Sequence, residues 1–174
     1  MRTPLLALAA AVVAAAACGS SSTAPASKIV NLTTTLSPAN ETAVTGNPTG
    51  SGTFSATLDT STNVFTWNLT FTGLTANATL GHIHGPFIPG GAATSAGVIL
   101  TVDPAVTPGA TFVGLNSATA GTASGSIVLN SSTVFTSTVN GDSLRKLLLA
   151  GDTYANIHTS TNKGGEIRGQ IAIK

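Results

Sequence analysis

Phe65-Thr66-Trp67-Asn68-Leu69-Thr70-Phe71-Thr72 alternates bulky apolar residues with threonine and asparagine at every step. A period of two places Phe65, Trp67, Leu69 and Phe71 on one face of an extended chain and the polar set on the other, the pattern of an antiparallel strand with one buried side. Working outward, Phe54, Ala56 and Leu58 repeat the pattern upstream, and the turn formers Asp59-Thr60-Ser61-Thr62-Asn63 lie between the two runs. Residues 52–72 therefore read as a hairpin. Shorter runs of the same kind occur at Val98 to Val102, at Ile127 and Leu129, and at Ile167, Gly169, Ile171 and Ile173. About eight strands separated by Gly, Pro, Asn and Ser clusters predict an all-β, antiparallel Greek-key β-sandwich or barrel.

One segment departs from this rhythm. Leu144, Leu147 and Leu148 fall at helical spacing after Asp142-Ser143, residue types that cap a helix N-terminus, and Gly151 follows where a helix end favours left-handed φ. Ser143 to Ala150 is predicted as a two-turn helix, too short to be stable without packing its leucines on a sheet.

Composition agrees with this fold and excludes several functions. The chain of 174 residues suits one domain plus a leader. It is 42% hydrophobic but only 7% charged and 5% aromatic, the composition of an extracytoplasmic β protein. With Arg2 assigned to the leader, six basic and six acidic residues remain. Such a balance gives no long-range field to draw nucleic acid or an anionic membrane.

The leader itself is legible. Met1-Arg2-Thr3-Pro4 gives a charged start, and the thirteen residues Leu5 to Ala17 are uniformly apolar. That run is too short for a ~30 Å hydrocarbon core and fits the apolar region of a secretory signal. It ends at Ala15-Ala16-Ala17-Cys18-Gly19, which resembles the lipobox of bacterial lipoproteins, with Ala15 where that family usually has Leu. The competing reading is an ordinary signal peptide cut at an Ala-x-Ala site. The single cysteine favours lipidation, because a lone thiol in an oxidising compartment has no disulfide partner. The expected organisation is a signal peptide over 1–17, a lipidated Cys18 and flexible tether over 18–28, and the folded domain over 29–174. The expected location is a bacterial cell envelope, anchored by lipid to a membrane, with the outer membrane or cell surface favoured.

All three histidines lie in two short phrases, Gly81-His82-Ile83-His84-Gly85 and Asn156-Ile157-His158-Thr159. On strands, His82 and His84 share one face while Ile83 takes the other, and Asn156 and His158 stand opposite Ile157. Imidazole nitrogens bind copper and zinc well, and such a site needs three or four donors within about 2.0–2.2 Å of one point. His82, His84 and His158 are the candidate ligands. The remaining position falls to water, Asn156 or a carboxylate, with Glu166 nearest in sequence. The competing reading is a neutral hydrogen-bond network, with Glu166 and Arg168 forming a cross-strand ion pair. The loop Pro86 to Gly97 is long for a hairpin, and its Phe87 and Ile88 either form an exposed apolar tip or fold back onto the sheet. No Gly-x-Ser-x-Gly elbow is present, so nothing marks a serine hydrolase.

Several phrases together resemble the CHRD domain family, named for chordin and also found in bacterial secreted proteins. They are Leu36-Ser37-Pro38-Ala39-Asn40-Glu41, Gly52-Thr53-Phe54 with Leu69 to Leu74, Gly81-His82-Ile83-His84-Gly85-Pro86, Leu148 to Thr159, and Gly164-Gly165-Glu166-Ile167-Arg168-Gly169-Gln170-Ile171. The resemblance implies a β-sandwich of superoxide dismutase or immunoglobulin type, since the His-x-His strand also looks like the copper-binding strand of Cu/Zn superoxide dismutases. It implies no established enzymatic activity. Growth-factor antagonism does not carry over, because the cysteine-rich modules beside these domains in chordin have no counterpart here.

Three function classes follow. The first is a binding domain at the envelope, for a transition metal or for an extracellular macromolecule. The second is a metal-dependent redox enzyme of superoxide dismutase-like type, although three histidines are too few for a binuclear Cu/Zn site and one cysteine cannot form that enzyme's bracing disulfide. The third is a structural or adhesive protein whose histidines only tie two strands together.

Overall fold

A computed structural model of the chain describes residues 28–90, 95–102, 111–113 and 118–174. The leader expected over residues 1–17, and Cys18, lie outside the described residues. Among those described, ten strands form two antiparallel sheets with one α-helix. The first sheet contains β1 (Ile29–Leu36), β2 (Ser51–Asp59) and β3 (Val64–Thr72) as a meander. The chain then crosses to the second sheet for β4 (Ala78–His84) and β5 (Val98–Thr101), and returns for β6 (Thr111–Val113) and β7 (Gly121–Val128). After the helix α1 (Gly141–Ala150), β8 (Tyr154–Thr159) and β9 (Ile167–Gln170) join the second sheet, and β10 (Ala172–Ile173) closes on the first. The strand orders are β10-β1-β2-β3-β7-β6 and β5-β4-β8-β9.

The expected hairpin is β2–β3, paired from Ser51↔Thr72 to Asp59↔Val64. Asp59 Oδ1 accepts from the backbone N–H and the hydroxyl of Ser61, at 2.9 and 2.6 Å, and fixes the turn. Phe54, Leu58, Phe65, Trp67 and Leu69 are buried on the inner face, while the threonines between them face solvent. The second sheet answers with Ile83, Leu100, Ile157 and Ile167, none of which is exposed. Burying a side chain of this size contributes about 1.5–3 kcal/mol, so these facing rows account for much of the stability.

The helix begins two residues earlier than its spacing predicts. Asn140, not Asp142 or Ser143, is the cap: its Oδ1 accepts from the Ser143 N–H and the Ser143 hydroxyl, both at 3.0 Å. Gly151 ends the helix at φ 77°, where an L side chain would be strained. Leu144 and Leu148 are fully buried, so the helix owes its order to the core, as its length requires.

The C-terminal run does not form a single strand. Ile167 and Ile171 are buried, but Ile173 is 53% exposed. The chain leaves the second sheet after Gln170 and pairs Ile173 with Leu32 of the first. At the same corner Ser37 bridges Arg168, with two backbone hydrogen bonds of 3.0 and 3.1 Å. This seam ties β1 to β9 and fixes the outer face of the second sheet.

Candidate functional site

That outer face is where the alternation of β4 and β8 sends the histidines. Pairing of His82↔Asn156, His84↔Tyr154 and Leu80↔His158 sets the three imidazoles on neighbouring rows of one face, and Asn156↔Arg168 extends the middle row to β9. Ile83 and Ile157 point to the core, as the two phrases predict. A register shift in the β4–β5 pairing falls between Ile83 and His84, an irregularity of the kind that re-aims side chains beside functional sites.

The face is not open to solvent, which alternation alone does not reveal. His82, His84 and His158 are only 7–8% exposed, and Tyr154, Asn156 and Arg168 are buried with them. Phe87 folds back and packs edge-on against Tyr154, with ring centroids 5.2 Å apart, whereas Ile88 stays exposed. Of the two readings of this loop, each therefore holds for one residue.

One ligand atom from each histidine lies within 4.8 Å of the others. Their neighbours define the tautomers. His158 Nδ1 sits 2.8 Å from the Lys163 carbonyl, and His84 Nδ1 sits 2.8 Å from the Ala96 carbonyl. A carbonyl only accepts, so each Nδ1 carries the hydrogen and each Nε2 keeps its lone pair. His82 Nδ1 is 2.9 Å from His158 Nε2, so His82 donates there and its own Nε2 is bare. His84 Nε2 is buried with no hydrogen-bond partner. Three nitrogens at ~2.0–2.1 Å from one ion in tetrahedral directions lie about 3.4 Å apart, so the widest pair would close by up to about 1.4 Å, while His82 Nδ1 and His158 Nε2 at 2.9 Å would part slightly.

Electrostatics keep these rings neutral. Burial, then the nearby positive forms of His158 and His84, lowers His82 from its ordinary 6.5 to about 4. Burial lowers His84 and His158 too, against the carbonyl hydrogen bonds from Ala96 and Lys163 that favour their charged forms. Neutral imidazole is the metal-binding form.

The other expected residues divide. Asn156 lies beside the cluster, and its Oδ1 is buried without a partner. Arg168 stacks on Tyr154, 3.6 Å from the ring centroid, and on Phe87 at 4.4 Å, and its charge helps to keep His84 neutral. Tyr154 in turn lies parallel to His84 with centroids 4.7 Å apart. The Glu166 carboxylate is engaged elsewhere: it accepts from the Thr75 N–H and hydroxyl at 2.7 and 2.6 Å, from the Thr159 hydroxyl at 2.7 Å and from the Asn162 amide at 3.2 Å. Burial pushes its pKa up, but these hydrogen bonds outweigh that and hold it below the ordinary value. Thr159 shares the alternation of Ile157, so this network lies away from the imidazoles.

Sequence reasoning missed Glu41, the acidic end of Leu36-Ser37-Pro38-Ala39-Asn40-Glu41. It follows a single 3₁₀ turn, Pro38–Asn40, pinned over β9 by Asn40 Nδ2 donating to the Arg168 carbonyl at 3.0 Å. Its carboxylate meets the Asn156 side chain. The signal available in the sequence was an acidic residue directly after a rigid Ser-Pro turn.

A family model of the CHRD domain matches residues 32–171. No curated protein and no solved structure matches the chain.

Proposed function

The chain belongs to the CHRD domain family, and from that premise we propose that it is an envelope-tethered binding domain holding one copper or zinc ion between His82, His84 and His158. The observation that carries this reading is the convergence of three neutral imidazoles. Backbone carbonyls orient two of them, leaving lone pairs on the buried face, and one of these, His84 Nε2, has no partner. A hydrogen-bond network built for structure alone would satisfy that atom. The backbone carbonyls of Ala96 and Lys163 act as the outer supports that commonly fix the tautomer of a ligating histidine. In this reading the leader directs export, and a lipid on Cys18 holds the domain at the membrane through the tether of residues 18–28.

The test is calorimetric titration of the domain over residues 28–174 with Zn(II) and Cu(II), beside a His82→Ala/His84→Ala variant. Stoichiometric binding that the variant loses supports the reading. A folded wild-type domain that takes up neither ion leaves a CHRD module whose ligand is a macromolecule.

A further inference from the structure

The unpartnered polar atoms of the outer face are not scattered. His84 Nε2, Asn156 Oδ1 and Glu41 Oε1 are all buried and lack hydrogen-bond partners, and they belong to three side chains in one chain of contacts. Asn156 and His84 are 2% and 7% exposed. The Asn156 side chain meets the Glu41 carboxylate on one side, where both crowd Gly165, and the His84 imidazole on the other.

These contacts fix which way the Asn156 amide points. A carboxylate can only accept, so the NH2 end of Asn156 faces Glu41 and the oxygen faces His84. Gly165, at φ 127°, makes room for this: a Cβ there would overlap Glu41 Oε1 and approach Asn156 Nδ2 to 3.0 Å. His84 has already committed its N–H to Ala96. The His84 Nε2 lone pair and the Asn156 oxygen, on adjacent strands of one face, are thus two buried acceptors that no donor reaches. The Arg168 guanidinium acts on His84 and Glu41 by its charge but hydrogen-bonds neither of these two acceptors, and buried acceptors without a donor are costly unless a cation joins them.

We infer that Asn156 Oδ1 is the fourth ligand of the metal centre and that Glu41 is the positioning residue that aims it there. The result is a closed site of three imidazole nitrogens and one amide oxygen for a divalent ion of the copper or zinc type. This inference rests on the metal reading above. It also sharpens that reading, because four protein ligands mark a structural or storage site, whereas catalysis at zinc keeps one position for water or substrate.

The experiment compares Zn(II) affinity, by calorimetry on the folded domain, for wild type, Asn156→Ala, Glu41→Gln and the double variant. Glutamine keeps the shape of Glu41 but offers an N–H, so the Asn156 amide is free to turn its oxygen away from the histidines. Glu41→Gln is expected to bind about 10- to 100-fold more weakly, the usual effect of losing an outer support, and Asn156→Ala, which loses the ligand itself, at least as weakly. The double variant should match Asn156→Ala within about twofold, because Glu41 acts only through Asn156. Single variants that bind like wild type, while His84→Ala abolishes binding, overturn the fourth ligand and leave the three-histidine site standing. A wild-type domain that binds no Zn(II) or Cu(II) overturns both. A second readout avoids any folding defect in the variants: on adding Zn(II) to 15N-labelled wild type, the side-chain NH2 signals of Asn156 should shift strongly, and unmoved signals would overturn the assignment.

Discussion

Burial of His82 makes the metal-free protein sensitive to acid over a defined window. The ring is 8% exposed, and its pKa is held near 4, first by burial and then by the neighbouring His158 and His84. In the unfolded chain the same ring titrates near its ordinary 6.5. The unfolded state therefore takes up the proton first, so stability is complete above pH 6.5 and falls as the pH drops toward 4. A gap from 6.5 to about 4 corresponds to about 3 kcal/mol in full, of which about 2 kcal/mol is lost by pH 5. His84 and His158 shift in the same direction. Glu41 works the other way: burial raises its pKa, so its contribution is present at low pH and fades as the pH rises through its folded value. Comparison with His82→Gln cancels the contributions the two proteins share. Urea unfolding in the presence of a chelator at pH 7, 6 and 5 should show wild type losing about 2 kcal/mol more than the variant, or roughly 4–8 °C in Tm for a domain of this size. Parallel losses in the two proteins would show that His82 is not held neutral by the fold.

Three further perturbations test the frame around the site. Gly125→Ala places a methyl group where Trp67 Cζ2 lies in the sealed core between the sheets. It should destabilise the domain by about 1–3 kcal/mol in chemical denaturation, and an unchanged midpoint would contradict the packing. Asn140→Ala removes the cap of α1 and should cost about 1 kcal/mol in the same assay, whereas Ser143→Ala, which keeps that cap, should cost less. Cys18→Ser is expected to move the protein from the membrane to the soluble fraction on cell fractionation, and unchanged partitioning would refute the lipid tether.

How far the sequence could be read depended on whether a feature is local. The β2–β3 hairpin and the inward turn of Ile83 and Ile157 follow from alternation, a property of the chain itself, and both are found where expected. The helix was legible from Leu144, Leu147 and Leu148, but its cap was not, because Asn140 competes with Asp142 and Ser143 and only three-dimensional geometry decides among them. The same holds at the C-terminus. Ile167 to Ile173 alternates like one strand, yet the chain changes sheets after Gln170 because β1 offers an edge to Ala172 and Ile173. Strand parity puts His82 and His84 on one face, but His158 joins them only if its strand is adjacent, which the β4–β8 pairing supplies. What parity cannot show is that this face is buried. Phe87, packed on Tyr154 and Arg168, and the Ser37–Arg168 seam are contacts between distant parts of the chain that alternation does not encode. Glu41 escaped notice for that reason, since it meets Asn156 only once the seam has formed.

X-ray absorption spectroscopy of the zinc- or copper-loaded domain addresses the metal centre itself. A first shell of three imidazole nitrogens at about 2.0–2.1 Å is what the converging rings predict. A first shell of water and carboxylate oxygens with at most one imidazole would place the ion elsewhere and contradict a site built by β4 and β8.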